Sequence, residues 1–548
     1  MLLQLSYALP DVHTSFQINT SSPSRSFSQP WKFAVGSGHA KLALRTDWRI
    51  ALNKTTSELG IRAVRFHGLF DDDMGPVVRP DGTYNFDTIS SIFDYILDIG
   101  MTPLVELSFQ PTALASGKRT YLQYKANVTP PKNMTKWSEL IRAFGTFVLT
   151  RYGKEEISKW SFEVWNEPDL HLLGPIKSFW TGTMQDYYQL YISTSNALKS
   201  ISHVFRIGGP VTSNTTGFLK EFVAAVSSTS SVDFLSSHEY PATGVDRNAF
   251  STLLFEATSI ASDMQRPYVL SEYNDGLSTF CCHDTEYAAV FMLREAAAVQ
   301  SGGCTLSSEE YCMDASNKIV PSGMSFWTFS DIFEEEHSVA QNKLKAPFHN
   351  AFGMMTLQGI KKPIWRALAV LNALNISSTL DGIIVKNTTF GSSSSVTQTN
   401  VAEIYATTPT PVVVSVTEGE GAHNTNMQMQ MDIVVINFTP APSHDAIAQN
   451  ISIHVVTTCS LSSSLPLPLV TVAKIDADHS NSFRTWENQL NKQKHLNQSQ
   501  VQKLNLATQV VFTVWSQVSV EDTNTIVISG LVLSPISAAV LRVKWSCK

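Results

Sequence analysis

Residues 31–375 alternate eight short β-rich runs with longer helical stretches, and no other feature limits the fold so strongly. The runs are Lys32–Gly36, Ala63–His67, Pro103–Phe109, Trp160–Glu167, Phe205–Val211, Val232–Tyr240, Pro267–Asn274 and Met324–Asp331. Each is bounded by polar residues, Gly or Pro, as strands buried on both faces are. Between them, Thr88–Ile99 puts Ile89, Ile92, Phe93, Ile96 and Leu97 on one face, and Trp137–Leu149 repeats this with Leu140, Ile141, Phe144, Phe147 and Val148. Tyr187–Ile201, Phe218–Val226, Phe250–Ala261, Tyr287–Val299 and Ile364–Leu374 follow the same period. Parallel strands need crossover connections, so eight strand–helix units predict a (β/α)8 barrel of the α/β class. The segment is longer than the ~250 residues typical of that fold, and inserted loops are expected.

From residue 376 to 548 the texture changes. Runs at Thr410–Val416, Met431–Asn437, Ile451–Thr457, Gln509–Trp515, Thr525–Ile528 and Ala538–Val543 read as strands, punctuated by Ser, Thr, Pro and Gly. This predicts an antiparallel β-sandwich, with residues 1–30 as an N-terminal arm that lends it a strand. Lys492–Leu504 is polar and reads as a loop or short helix. With 43% hydrophobic residues the chain can fill such cores and is not disordered. The net charge of −7 without a basic run excludes a nucleic-acid footprint, and no 18-residue apolar stretch suggests a membrane span. Ten Asn-X-Ser/Thr sequons stand where the 27 Asn would give roughly 5 by chance. They and the six Cys suit a secreted or lysosomal protein, with disulfide pairing left open. No basic leader precedes residue 13, so an N-terminal segment is expected to be missing.

The active site of such a barrel lies at the C-terminal ends of its strands. Glu167 ends the fourth strand and Glu272 the seventh, so two carboxylates can face each other across the mouth. Glycoside hydrolysis needs such a pair: one protonated to donate to the leaving oxygen, one ionised to attack the anomeric carbon. The bland alternative, strand-end salt bridges, explains one glutamate better than two opposed ones. Asp71-Asp72-Asp73 is too short to wrap a calcium ion and reads as a loop bonding its own backbone. His283, beside Cys281 and Cys282, reads as part of a solvated loop. No metal or cofactor is expected.

The segments VRFHGLFDDDMG (64–75), YNFDTISSIFDYILDIGMTPLVELSF (84–109), WSFEVWNEPDL (160–170), VDFLSSHEYP (232–241), LSEYND (270–275), FWTFSDIFEE (326–335) and PFHNAFGMMTLQGIKKPIWRAL (347–368), in this order, resemble glycoside hydrolase family 39, which holds β-xylosidases and α-L-iduronidases. The resemblance covers about residues 31–375; the tail matches only in kind. It implies a retaining mechanism with Glu167 as general acid/base and Glu272 as nucleophile. It implies that Asn166 bonds the sugar 2-hydroxyl, that His238 and Tyr240 flank the pair with Tyr240 near the nucleophile, and that Trp327 floors the −1 sugar. His67, Arg65, Phe109, Glu334 and Glu335 match positions lining that subsite. Glu167 should have a raised pKa, from burial and from the charge of Glu272. The two carboxyls should lie about 5–5.5 Å apart.

Within the family the xylosidase branch fits better. FWTG (179–182), HEY (238–240) and WTFSDIFEE (327–335) are similar to it. A uronate carboxylate wants a cation, and where the iduronidase type has a Lys this chain has Tyr240. Asp169 points the other way, resembling the iduronidase type. The expected substrate is therefore a neutral β-linked sugar, xylose, with an iduronidase-like hydrolase and a non-catalytic carbohydrate-binding barrel as alternatives.

Overall fold

The computed structural model of the chain describes residues 12–547 except 27–28, 174–177, 214–215, 242–248, 278–281, 302–319, 333–345, 375–377, 381–383, 390–401, 414–426, 440–446 and 462–465. An edge-free parallel barrel forms its first half. After an N-terminal strand β1 (Val12–Asn19), its staves are β2 (Ala34–His39), β3 (Ala63–His67), β4 (Thr102–Leu107), β5 (Ser161–Val164), β6 (Arg206–Thr212), β7 (Phe234–Glu239), β8 (Tyr268–Tyr273) and β9 (Gly323–Phe326). They pair in sequence order and β9 closes on β2. The eight expected runs all appear, shifted by a few residues at their ends.

Helices α1 (Thr46–Leu59), α2 (Asp87–Asp98), α3 (Met134–Ile157), α4 (Met184–Lys199), α5 (Leu219–Val226), α6 (Ala249–Asp263), α7 (Glu286–Ser301) and α8 (Pro363–Ala373) connect the staves or follow the last. The periodicity on α2 works as anticipated: Ile89, Ile92, Phe93 and Ile96 are all buried. Helix α1 was not anticipated. Its buried stripe of Trp48, Ala51, Leu52, Thr55 and Leu59 includes a threonine, which breaks the apolar pattern.

The second half forms two sheets. Its strands are β10 (Ile384–Thr389), β11 (Glu403–Ala406), β12 (Thr410–Val413), β13 (Met427–Asn437), β14 (Gln449–Val456), β15 (Leu469–Ile475), β16 (Thr513–Val514), β17 (Val518–Glu521), β18 (Thr525–Leu533) and β19 (Ser537–Ser546). One sheet runs β10-β1-β14-β18-β17 and the other β11-β13-β19-β15-β16, with β12 also pairing β13. Strand β1 from the N-terminal arm lies parallel to β14 and antiparallel to β10. Of the expected strand Gln509–Trp515, only Thr513–Val514 pairs. Lys492–Leu504 resolves into a loop and a helix: α9 (Ser482–Gln489) precedes it and α10 (Gln498–Ala507) starts at an Asn497–Gln500 capping box.

Strand alternation explains how the halves join. On β13, Ile433 and Val435 face the sandwich core with Phe16, Ile451 and Leu541. Val434 and Ile436 point the other way and merge with the barrel core. There Arg294 of α7, wholly buried, pairs with Glu295 (2.8 Å) and Glu403 (3.3 Å) and lies over Phe438. Cys459 and Cys547 form a disulfide between the ends of β14 and β19, tying one sheet to the other. Trp486 and Leu504 of α9 and α10 pack on Phe348 and Ile360, beneath the loop that follows β9.

Candidate active site

Strand pleating aims every second residue into the barrel, so Arg65 and His67 of β3, Glu106 of β4 and Glu163 of β5 share its interior, all buried. Arg65 is the hub. Its Nε donates to Glu163 Oε2 (2.7 Å), Nη1 to Glu272 Oε2 (3.0 Å) and Nη2 to Asn166 Oδ1 (2.8 Å), with Glu106 Oε2 also 2.8 Å from Nη2. Burial alone would lower the Arg65 pKa, but Glu106, Glu163 and Glu272 outweigh it and raise it. His67 Nδ1 bonds Glu106 Oε2 (2.7 Å), and Ser108 donates to the other oxygen. Burial pushes Glu106 up; His67 and Arg65 pull it below the usual range.

Glu167 and Glu272 meet at the mouth. One oxygen of each and a ring nitrogen of His238 lie within 4.8 Å of one another. A hydrogen bond joins His238 Nδ1 to Glu167 Oε1 (2.8 Å), and the same nitrogen is 3.7 Å from Glu272 Oε2. Tyr240 donates its hydroxyl to Glu272 Oε1. Glu167 is pushed up to about 8, by burial first and then by the carboxylate of Asp169. The like charge that matters most is thus Asp169, not Glu272 as the sequence led us to expect. His238 is pushed down to about 4, again mainly by burial. At neutral pH a protonated carboxyl and a neutral imidazole therefore stand beside Glu272, which accepts hydrogen bonds from Arg65 and Tyr240. The backbone is unusual here: Trp165, Glu167 and Val211 have φ of 73°, 44° and 57°, a region non-glycine residues seldom occupy.

Aromatic rings wall the cleft. His67 lies 4.8 Å from Trp327 between ring centroids, and Phe109 stacks on Phe179 at 5.7 Å. Trp327 fits only because position 36 is glycine: a Cβ there would meet Trp327 Cε3 at 2.3 Å. The loop after β9 is pinned by buried Lys362, which reaches Asp284 (2.6 Å), Asp331 (2.9 Å) and the carbonyl of Ala351 (2.8 Å).

Arg65, His67, Phe109, Asn166, Glu167, His238, Tyr240, Glu272 and Trp327 thus gather at one mouth, while Glu334 and Glu335 lie outside the described residues. Cys281, Cys304 and Cys312 do too. Glu106, Glu163 and Asp169 were not singled out as site residues; inward strand alternation from Glu167 back to Glu163 is the signal that could have found one of them. The Asp71–Asp73 loop bonds its own backbone, Asp71 N–H to the Gly68 carbonyl (3.2 Å) and Met74 N–H to the Asp71 carbonyl (3.0 Å), and is ion-paired as well, with His39 3.5 Å from Asp71 and 3.2 Å from Asp73, and Lys41 3.6 Å from Asp73. One expectation fails. His283 is buried, bonds Asp275 and packs on Phe352 rather than sitting in solvent. His39, Asp71 and Asp73 could together hold a cation, but these ion pairs account for the arrangement.

The family model for glycosyl hydrolases family 39 matches residues 14–524. A beta-xylosidase of Caldicellulosiruptor saccharolyticus is 37% identical over 390 residues, covering 65% of this chain and 73% of that protein. One of Geobacillus stearothermophilus is 34% identical over 386 residues, covering 65% and 71%. Among solved structures, a monomeric beta-xylosidase of Caulobacter crescentus superposes with a TM-score of 0.72 at 23% identity, covering 96% and 99% of the two chains.

Proposed function

The chain belongs to glycosyl hydrolases family 39, and from that premise we propose that it is a retaining β-D-xylosidase in which Glu272 is the nucleophile and Glu167 the general acid/base. The observation that carries this reading is the pair itself. Its oxygens approach within 4.8 Å, the spacing of enzymes that form a covalent intermediate rather than admit a water between the carboxyls. In the first step the Glu272 carboxylate bonds to the anomeric carbon as Glu167 gives its proton to the glycosidic oxygen, and the aglycone leaves as an alcohol. In the second, Glu167 takes a proton from water, whose oxygen displaces Glu272 from the same carbon. Esterification neutralises Glu272, so Glu167 sheds its proton more readily when it must act as base.

Arg65 claims the Asn166 oxygen, leaving its amide nitrogen as the donor for the sugar 2-hydroxyl. Trp327 supplies the apolar floor. A neutral sugar fits better than a uronate, because Arg65 is already engaged by three carboxylates and Tyr240 bonds Glu272. The disulfide and the exposed sequon residues Asn19, Asn53, Asn133 and Asn497 support an oxidising, secretory compartment. Asn127 and Asn437 are buried and hydrogen-bonded, so their sequons serve the fold instead.

The test compares aryl β-D-xyloside with aryl α-L-iduronide. Hydrolysis of the xyloside, abolished in Glu272→Ala, is expected. Hydrolysis of the iduronide alone would overturn the sugar assignment. Sugar binding without turnover of either would favour a non-catalytic barrel.

A further inference from the structure

Glu167 is held by a two-point clamp between neighbouring strand exits. Its own N–H donates to the carbonyl of Val211 (2.8 Å) near the C-terminal end of β6. Two residues on, the buried carboxylate of Asp169 accepts the Ser213 N–H (2.9 Å) and the Ser213 hydroxyl (2.8 Å). The two anchors are two residues apart on each segment, so the turn after β5 cannot rotate without breaking both. Just beyond the second anchor, the Leu170 N–H donates to the Glu167 carbonyl (3.3 Å). The clamp thus fixes Glu167 at its unusual φ and holds the carboxylate of Asp169 buried two residues on.

We propose that Asp169 is a positioning residue that acts through Glu167, its clamped, buried carboxylate presenting a like charge to the acid/base. This rests on the reading of Glu167 as acid/base. A hydrogen-bonding role alone would need no charge at position 169, since a neutral amide satisfies Ser213 equally: its oxygen accepts the N–H and its nitrogen donates to the hydroxyl. The charge has a consequence because the site is dry. A carboxylate held in a buried setting raises the proton affinity of a neighbouring acid.

Other groups also face Glu167. His238 approaches from β7, Glu272 from β8, Arg65 and His67 from β3, Glu106 from β4 and Glu163 from β5. Arg65 and His67 oppose the effect, while Glu106 adds to it. Asp169 is the largest charge contribution after burial itself. It is also the one that can be neutralised without touching the Arg65 hub. Tyr187 of α4 lies near Asp169, but its hydroxyl is committed to the carbonyls of Val164 and Pro210.

The experiment records kcat/KM against pH for the full chain on an aryl β-D-xyloside, in wild type, Asp169→Asn, Ser213→Ala and Glu167→Gln. The basic limb in wild type reports loss of the Glu167 proton. Asp169→Asn should move that limb to lower pH by roughly one pH unit. Ser213→Ala, which removes the hydroxyl bond of the clamp but keeps the charge, should leave it in place. A limb unmoved in Asp169→Asn, or moved as far by Ser213→Ala, would overturn the proposal. Should Asp169→Asn give no soluble enzyme, Asp169→Ser makes the same comparison with the same readings. Glu167→Gln separates the two claims. If its limb persists, Glu167 is not the acid and the underlying reading fails; if it vanishes while Asp169→Asn stays at the wild-type position, only the role of Asp169 falls.

Discussion

Gly36→Ala should disable the enzyme although it touches no charged group. A Cβ at position 36 would lie 2.3 Å from Cε3, 3.0 Å from Cζ3 and 3.2 Å from Cδ2 of Trp327. Carbon atoms rest at about 3.5–4.0 Å, so the near edge of the indole must retreat by roughly 1.2–1.7 Å. The backbone cannot absorb this. The Trp327 N–H is bonded to Tyr273 O (2.8 Å), Asn274 donates to the Trp327 carbonyl, and the Phe329 N–H is bonded to Gly36 O (3.1 Å). The ring is also only 3% exposed and has His67 for a neighbour, so it has little free space to enter. Overpacking of this kind costs about 1–3 kcal/mol of stability. A displacement of this size in a sugar platform costs about 100-fold in kcat/KM. Steady-state kinetics on an aryl β-D-xyloside and a thermal melt check both numbers. Wild-type kcat/KM in a folded Gly36→Ala enzyme would refute the steric reasoning and the assignment of Trp327 as the floor of the subsite.

Other consequences can be measured independently. The raised pKa of Glu167 means that the folded state holds a proton the unfolded chain releases, so its contribution to stability is present below about pH 4.5 and is lost as pH rises through about 8. Glu167→Gln should therefore raise the melting temperature relative to wild type at pH 8, at about 2–4 °C per kcal/mol, and the gain should fade near pH 4; an equal gain at both pH values would contradict this. Lys362→Met leaves Asp284 and Asp331 buried without their cation and should cost about 3–5 kcal/mol in denaturant unfolding. Adding Asp331→Asn should recover part of that loss. Removing the Cys459–Cys547 disulfide, which spans 88 residues, should lower stability by about 2–4 kcal/mol without changing kcat.

The barrel was legible because its staves are buried on both faces and its helices on one, and both periods survive in the sequence. Helix α1 was hidden by the threonine in its buried stripe, and β15 by its position beside a Ser- and Pro-rich stretch. The pair of opposed carboxylates was legible for a different reason: strand ends on this fold have a known destination, so a glutamate there has a place as well as a type. What could not be read was the wiring beneath. Glu106 carries no motif that sets it apart from a surface carboxylate, strand alternation alone points to Glu163, and only barrel closure brings the two to Arg65. Asp169 drew notice as a clue to the substrate, yet its burial and its bond to Ser213, 44 residues away in the chain, appear only in the fold. His283 was misread for the same cause, since Asp275 and Phe352 reach it only through the fold.

The most direct test traps the intermediate. Incubation with an activated 2-deoxy-2-fluoro-β-D-xyloside slows departure of the sugar from the nucleophile, and peptide mass spectrometry then locates the ester. The sugar should be found on Glu272, at one per chain, with turnover lost in step. A label on Glu167, or full inactivation with Glu272 unmodified, would contradict the assignment on which the proposed mechanism rests.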